Sequence, residues 1–287
     1  MYPVPFDYHR AGSVDEALAL LGRFGESARL LAGGHSLLPL MKLRLAEPRH
    51  LVDIRRIPGL SDVREEGGTL VIGAATPHHL LEHSPLVRER LPILSEAAAQ
   101  IGDAQVRNMG TIGGSLAHAD PAADLPAVML ALGAELVAVG PKGRRAIPVD
   151  GFFVKLFTTS LSPGEMLTEV RVPLPPAGSG GAYAKFPHPA SRYAVVGVAA
   201  LLTVSGRKIT AARVAITGVG ARAVRASATE AALVGQAADA GVVAAAADRA
   251  AQGLTVRSDP RMDPEYWKAL AVTFTRRAVA TALERAG

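Results

Sequence analysis

Apolar residues first recur at helical spacing at Val14, Ala17, Leu18, Leu21 and Phe24, which predicts an amphipathic helix. Ser13 and Glu16 stand three residues apart at its start as a capping box, and Gly25 closes it. The pattern then shortens. Residues 28–32 read as a short buried strand, 37–45 as a turn or short helix, and 50–54 as another strand, so the chain begins as an α/β unit. Residues 69–74 predict a further strand, and Thr76-Pro77 opens a helix with proline at its first position. Another helix opens at Pro92 and runs to 101. Past a glycine-rich passage at 110–115, Asp124 is the expected cap of a helix over 125–132. Strands are predicted at 135–139, 144–149 and 166–172, the first two joined by a Pro141-Lys142-Gly143 turn.

The texture changes at 173–181, where Pro-Leu-Pro-Pro-Ala-Gly-Ser-Gly-Gly is dense in residues that end regular structure. We place the main boundary there, giving domains over 1–177 and 178–287, the first divided into subdomains of about 1–56 and 57–177. Beyond it, 193–204 and 211–217 read as strands, and the alanine-dominated stretch 221–251 as two helices with small faces. A last helix from 264 to about 285 is expected to dock through Tyr266, Trp267, Leu270 and Phe274. No internal repeat is visible.

Composition narrows the chemistry. With 49% hydrophobic but only 5% aromatic residues among 287, the interior must be built largely from Ala, Val and Leu. The net charge of +5 comes mostly from Arg scattered among acids, without the basic stripe and stacking aromatics that nucleic acid requires. Cysteine is absent, which excludes disulfides, Cys-ligated zinc, thiolate nucleophiles and an iron–sulfur cluster held by this chain. Any redox chemistry therefore needs a borrowed cofactor. The longest uncharged stretch, 193–206, is too short to span a membrane, and the first residues lack a basic segment followed by an apolar core. The expected compartment is the cytoplasm.

The strongest local feature is Ala32-Gly33-Gly34-His35-Ser36, directly after the apolar Leu30-Leu31. Adjacent glycines let the backbone turn sharply, and successive N–H groups in such a turn can form an anion-binding nest. A plain tight turn is the alternative. A second segment, Thr111-Ile112-Gly113-Gly114-Ser115, repeats the chemistry. Two nests suit the two charged groups of a diphosphate, and so a dinucleotide. Asp120 and Asp124 follow, able either to accept from sugar hydroxyls or to cap a helix.

Other signals point elsewhere. Gly218-Val219-Gly220-Ala221-Arg222-Ala223 matches the dinucleotide pattern of a Rossmann fold, with Asp239 lying 19 residues past Gly220, which keeps an NAD-binding reading open. Against it, Ser227 or Thr229 looks like the true cap of the next helix, and no second βαβ unit follows. His79 and His83 have the i, i+4 spacing of zinc ligands around Glu82, beside His78, but a solvated helix face explains them and no metal site is expected. No nucleophile–base pattern and no P-loop is present, so no catalytic residue is assigned.

Taken together, AGGHSLLPLMKLRLAEPRHLVDI (32–54) and RNMGTIGGSLAHADPAADLPAV (107–128) resemble the FAD-binding medium subunits of molybdenum hydroxylases, the xanthine dehydrogenase family. The resemblance extends over the whole chain, including the proline-rich link and the Asp-rich, Tyr-bearing approach to the last helix. Within that family, length and His35, where many relatives carry Gln, incline the likeness toward the carbon monoxide dehydrogenase branch.

The resemblance implies an α+β architecture: a two-subdomain FAD-binding domain of the vanillyl-alcohol-oxidase-like kind, then a C-terminal domain with a small antiparallel sheet and helices. It implies FAD held at its diphosphate by Leu30, Leu31, Ala32, Gly33, Gly34, His35, Ser36 and Leu37, and by Thr111, Ile112, Gly113, Gly114 and Ser115. Asp124 would contact the flavin side, Leu167 would pack on the flavin, Lys185 would lie near the ring, and Tyr193 against the isoalloxazine. Partners implied are a large subunit with the molybdenum cofactor and a small subunit with 2Fe–2S clusters, in a dimer of heterotrimers. Peripheral association with the inner face of the membrane is an option for quinone reduction. The cysteine-rich insertion of benzoyl-CoA-reducing relatives is missing. A self-sufficient FAD oxidoreductase and a non-redox assembly subunit stay open as alternatives, as does the identity of the oxidised substrate, with carbon monoxide preferred.

Overall fold

The computed structural model describes residues 2–257 and 262–287. Met1 and residues 258–261, which fall within the Asp-rich approach to the last helix, lie outside the described residues. The first unit runs β1 (Asp7–Arg10), α1 (Val14–Phe24), β2 (Ala28–Leu31), α2 (Leu37–Lys42) and β3 (His50–Asp53). Its strands form a parallel sheet in the order β1-β3-β2. Parallel strands require crossovers, which α1 and the α2 loop supply. Ser13 caps α1 by accepting from the Glu16 amide at 3.1 Å, while the Glu16 carboxylate returns to the amide of Gly12 at 2.7 Å. The apolar face of α1 then packs over Val52 and Ile54.

One half-buried ionic knot fastens this sheet. Asp53, 3% exposed, accepts from the Tyr8 hydroxyl at 2.6 Å and from Arg55 at 2.7 Å. Burial works to raise its carboxyl, but Arg55 and the Tyr8 hydroxyl outweigh burial and hold it down at about 2. A carboxylate lowered in the folded state stabilises above its unfolded pKa and loses that contribution as pH falls toward 2. Arg55→Leu should therefore cost about 2 kcal/mol at pH 7 and progressively less below pH 4, as read from urea midpoints across that range.

The second unit contains β4 (Val63–Glu66), β5 (Thr69–Gly73), α3 (His78–His83), α4 (Pro85–Arg90), α5 (Pro92–Ala99), α6 (Ala104–Met109), α7 (Ile112–His118), α8 (Asp124–Leu132), β6 (Glu135–Gly140), β7 (Gly143–Pro148), β8 (Phe153–Lys155), β9 (Thr158–Thr159) and β10 (Met166–Pro173). Five of these strands form an antiparallel sheet ordered β4-β5-β10-β6-β7, and β8-β9 is a separate hairpin. Every residue of α8 is buried. A helix apolar all round must be enclosed on all sides, and α8 lies between this unit and the strands of the next.

The third unit is β11 (Ser179–Pro187), β12 (Ala194–Ser205), β13 (Lys208–Thr217), β14 (Val224–Arg225), α9 (Ser227–Leu233), α10 (Ala240–Ala247) and α11 (Pro264–Ala286). Its antiparallel sheet runs β11-β12-β13-β14, with α11 across β11 and β12. Contact there is backbone to backbone: a Cβ on Gly180 would stand 2.1 Å from the Ala282 carbonyl oxygen. No helix among the described residues is long and apolar enough to cross a membrane.

Several local expectations are corrected. Ser179, Gly180 and Gly181, read as linker, open β11, because their smallness admits α11 and their backbone pairs with β12. Pro77 is the extended cap of α3 rather than its first residue, and Asp124 is the first residue of α8 rather than its cap. Ala226, not Ser227 or Thr229, precedes α9. Tyr266 is 49% exposed, so α11 docks through Trp267 and Phe274 without it. The glycine pair 113–114 lies inside α7 instead of in a turn.

Candidate functional site

β2 delivers the chain into residues 32–36, where Gly34 adopts φ +73°, and α2 follows at once. Leu30 lies in the strand and Leu31 packs with Met41 and Leu51 beneath the loop. Among the described residues, the backbone N–H groups of residues 33–37 have no intrachain acceptor. Five successive unpaired donors make an anion nest and not a plain turn. His35 directs its imidazole Nδ1 back to the Gly33 carbonyl at 3.0 Å.

Against this loop lies the second segment, but it is built differently. The amides of Ile112 and Gly113 donate to the carbonyls of Thr76 and Ala74, at 3.0 and 2.8 Å. Gly114 donates to Thr111 Oγ1 at 3.1 Å, and Ser115 to the Thr111 carbonyl at 3.0 Å. The second nest expected at 111–115 does not form: the amides of Ile112, Gly113, Gly114 and Ser115 are spent on capping α7 and tying it to the strand end. Its glycines serve close approach. A Cβ on Gly113 would sit 2.5 Å from Ala74 Cβ, and one on Gly33 2.2 Å from the Met109 carbonyl oxygen, so the two segments meet backbone to backbone. Gly114 is freer, with the side chain of its own cap at 2.7 Å and Ala32 next at 3.9 Å.

Behind the junction stands His78, 4% exposed, with its Nδ1 unpaired. Burial, with His35 and Arg107 nearby, lowers it to about 4, so it is neutral at pH 7. Sequence reasoning placed it on a wet helix face; only its neighbours fit that description. Glu82 accepts from Arg107 at 2.7 Å, and His83 Nδ1 bonds the His79 carbonyl.

Around Tyr193 lies a cavity of about 490 Å³ whose other walls include Asp120, Leu156, Phe157, Gly220 and Arg257. The third unit positions this region. The ends of β12 and β13 grip residues 121–123: the Ala194 amide donates to Ala122 at 3.1 Å, the Gly218 amide to Pro121 at 2.7 Å, and Thr217 Oγ1 to Pro121 and Ala123 at 2.7 and 2.9 Å. Tyr193, 42% exposed, follows Arg192 in a left-handed conformation and turns its phenol toward Ser36 of the nest. Burial, then Asp120 and Asp124, raise that phenol above its ordinary range, against the pull of Ser36.

Three expected contacts lie deeper. Lys185 Nζ stands 2.9 Å from Asp124 Oδ1 and donates to the Gln100 carbonyl at 2.9 Å, and the Tyr183 hydroxyl donates to Asp124 Oδ1 at 2.6 Å. Burial raises the Asp124 carboxyl, opposed by Lys185 and Tyr183, and burial raises Tyr183 well above its usual value. Both oxygens of Asp124 are engaged, so this group ties α8 to β11 from within. Leu167 is 5% exposed, beside a bulge in β10, and belongs to the main core.

The Rossmann alternative fails on geometry. The sheet after Gly218 is antiparallel, α9 starts at Ser227 and not at the glycines, and Asp239 caps α10 by accepting from the Val242 amide at 2.9 Å. Gly218 is required at φ +91°, where a Cβ would strike the Val195 carbonyl.

Comparison with known proteins assigns the family. The family described as "FAD binding domain in molybdopterin dehydrogenase" matches residues 4–175, and "CO dehydrogenase flavoprotein C-terminal domain" matches 181–282. The medium chain of carbon monoxide dehydrogenase from Hydrogenophaga pseudoflava is 46% identical, covering 99% of both chains. Subunit alpha of the 6-hydroxypseudooxynicotine dehydrogenase complex of Paenarthrobacter nicotinovorans is 43% identical over 100% of this chain and 97% of its own. A solved structure of the Hydrogenophaga pseudoflava carbon monoxide dehydrogenase lacking the Mo-pyranopterin moiety superposes with a TM-score of 0.96 at 49% identity, covering 99% of each chain. A match over more than half the chain and relatives aligned from end to end place this protein in the FAD-binding medium-chain family of the molybdenum hydroxylases, as a flavoprotein subunit of an oxidoreductase complex.

Proposed function

We propose that the chain is the electron-transfer flavoprotein of a three-chain molybdenum hydroxylase, receiving electrons from 2Fe–2S clusters of a small subunit and releasing them to an external acceptor. The observation that carries this is the run of unpaired amides at 33–37, with Tyr193 at the wall of the neighbouring cavity reaching Ser36. Bound FAD supplies the redox chemistry, and the chain binds, orients and shields it.

In this reading the amides of Gly33, Gly34, His35, Ser36 and Leu37 hold the diphosphate, and Leu30, Leu31 and Ala32 set the loop's exit from β2. Thr111, Ile112, Gly113 and Gly114 form its floor, the glycines by small size rather than by donation, and the Ser115 hydroxyl, without a partner among the described residues, is free to donate. Tyr193 flanks the ring at the cavity. Asp124, Lys185 and Leu167 act at one remove, by fixing α8, β11 and β10 around the pocket. Domain limits of 1–177 and 178–287 follow the proline-rich link. Carbon monoxide is the proposed substrate of the large subunit, the complex is a dimer of heterotrimers, and it resides in the cytoplasm, with contact at the inner membrane face if quinone is the acceptor.

Copurification of the native complex tests this. Equimolar medium, large and small chains containing FAD, iron and molybdenum, with flavin bleaching on addition of carbon monoxide, are expected. A flavin-loaded chain that turns over a substrate alone would overturn the subunit reading. Tyr193→Ala should weaken FAD by about tenfold, the scale of one aromatic contact, and raise the fluorescence of the bound flavin, whereas Tyr193→Phe should keep both near the wild-type value.

A further inference from the structure

The sheet of the first unit carries a side-chain cluster that flavin binding does not use. Asp7 and His9 stand two apart on edge strand β1, hence on one face, and β1 pairs with β3 so that Asp7 lies opposite His50. His9 Nε2 is 3.2 Å from His50 Nδ1, and His50 Nδ1 is 3.5 Å from Asp7 Oδ2. The three atoms all lie within 4.8 Å of one another. A tetrahedral zinc ion with ligands near 2.0–2.1 Å sets its ligand atoms about 3.4 Å apart, and the two measured edges bracket that spacing.

The imidazoles are also held in place. The Phe24 ring, at the end of α1, stacks on His50 at 3.8 Å between centroids and 14° between planes, and on His9 at 4.9 Å. The His50 side chain is 17% exposed and that of Asp7 74%, so an ion would enter from the carboxylate side. Among the described residues none of the three ligand atoms has a hydrogen-bond partner outside the cluster. The other histidine group differs on this point. At His79, Glu82 and His83 the carboxylate is taken by Arg107 and His83 Nδ1 by a carbonyl.

We propose that Asp7, His9 and His50 form a binding site for a borderline transition-metal dication, Zn²⁺ foremost, with water completing the coordination. Two imidazoles and one carboxylate select Zn²⁺ over the oxygen-seeking Ca²⁺ and Mg²⁺. The ion would clamp the edge strand β1 to β3.

The test is calorimetric titration of the full-length, FAD-loaded, chelator-stripped protein with Zn²⁺, followed by thermal melts. One saturable equivalent is expected, with a rise in Tm that tracks occupancy and no heat from Ca²⁺. His9→Gln and Asp7→Asn, both mild at this half-open site, should each weaken Zn²⁺ by at least about tenfold, with His83→Ala unchanged. Absence of saturable Zn²⁺ heat in the wild type would mean that the imidazoles merely share a proton, and overturns the site. So does undiminished binding in His9→Gln, or loss of binding in His83→Ala.

Discussion

Gly114→Asp should give a folded chain that no longer retains FAD, whereas Gly33→Asp should lose both cofactor and stability. The two glycines differ in what surrounds them. At Gly33 any Cβ meets the Met109 carbonyl and the Gly110 Cα within 2.7 Å, so the loop and the second segment must part before a carboxylate is even considered. Forced separation of packed backbone costs about 1–3 kcal/mol or more. At Gly114 only the Thr111 hydroxyl stands closer than 3.9 Å, and an acid in the first turn of α7 suits the helix dipole. Its new charge, however, would face the nest proposed here to hold the diphosphate. Like-charge juxtaposition there costs several kcal/mol, so FAD affinity should fall by roughly a hundredfold or more. Flavin absorbance per chain after dialysis, set beside urea midpoints, separates the two variants. Full flavin in Gly114→Asp would place the diphosphate elsewhere.

The second large effect is expected at Lys185. Lys185→Met removes the ammonium that neutralises Asp124 inside the protein, and breaking a buried pair from one side costs about 3–5 kcal/mol. With Lys185 gone, only Tyr183 and the local backbone oppose burial at Asp124, and its folded pKa rises further above the unfolded value. A raised carboxyl destabilises the fold at pH values above it and ceases to do so once protonated. The deficit of Lys185→Met relative to wild type should therefore be largest near neutrality and shrink as the pH approaches 5. Lys185→Met combined with Asp124→Asn should recover much of it at pH 7. Urea unfolding of the three variants at both pH values decides the matter; an equal deficit at each would show that loss of Lys185 leaves the ionisation of Asp124 unchanged.

These two sites also show which parts of the molecule could be read from one chain of letters. The nest at 33–37 was legible because everything it needs is local: an apolar strand, two adjacent glycines and a hydroxyl. The segment 111–115 has the same letters and a different structure. Its glycines admit Ala74 on one side and the first loop on the other, a requirement set by residues tens of positions away. Asp124 and Lys185, 61 residues apart, were assigned to the cofactor by family likeness, and their bond to each other across α8 and β11 has no signal in the local sequence. β11 hid in the glycines of the link, since small residues that admit a helix are the same ones that mark a turn. The pairing of His9 with His50 needs the β1–β3 register and so was invisible. Tyr193 was placed by family likeness alone, and only the grip of β12 and β13 on residues 121–123 gives that placement a physical basis.

The enclosed helix α8 bears on modularity. Its faces are shared between the five-stranded sheet, α5 and the strands β12 and β13, and its first residue is pinned by two side chains of β11. A polypeptide ending at the proline-rich link would present the apolar body of this helix to water on the side that the third unit covers. The flavin-binding part is thus not a portable cassette: the C-terminal unit completes its interior as well as its pocket, and the two parts must be inherited, fused or exchanged together.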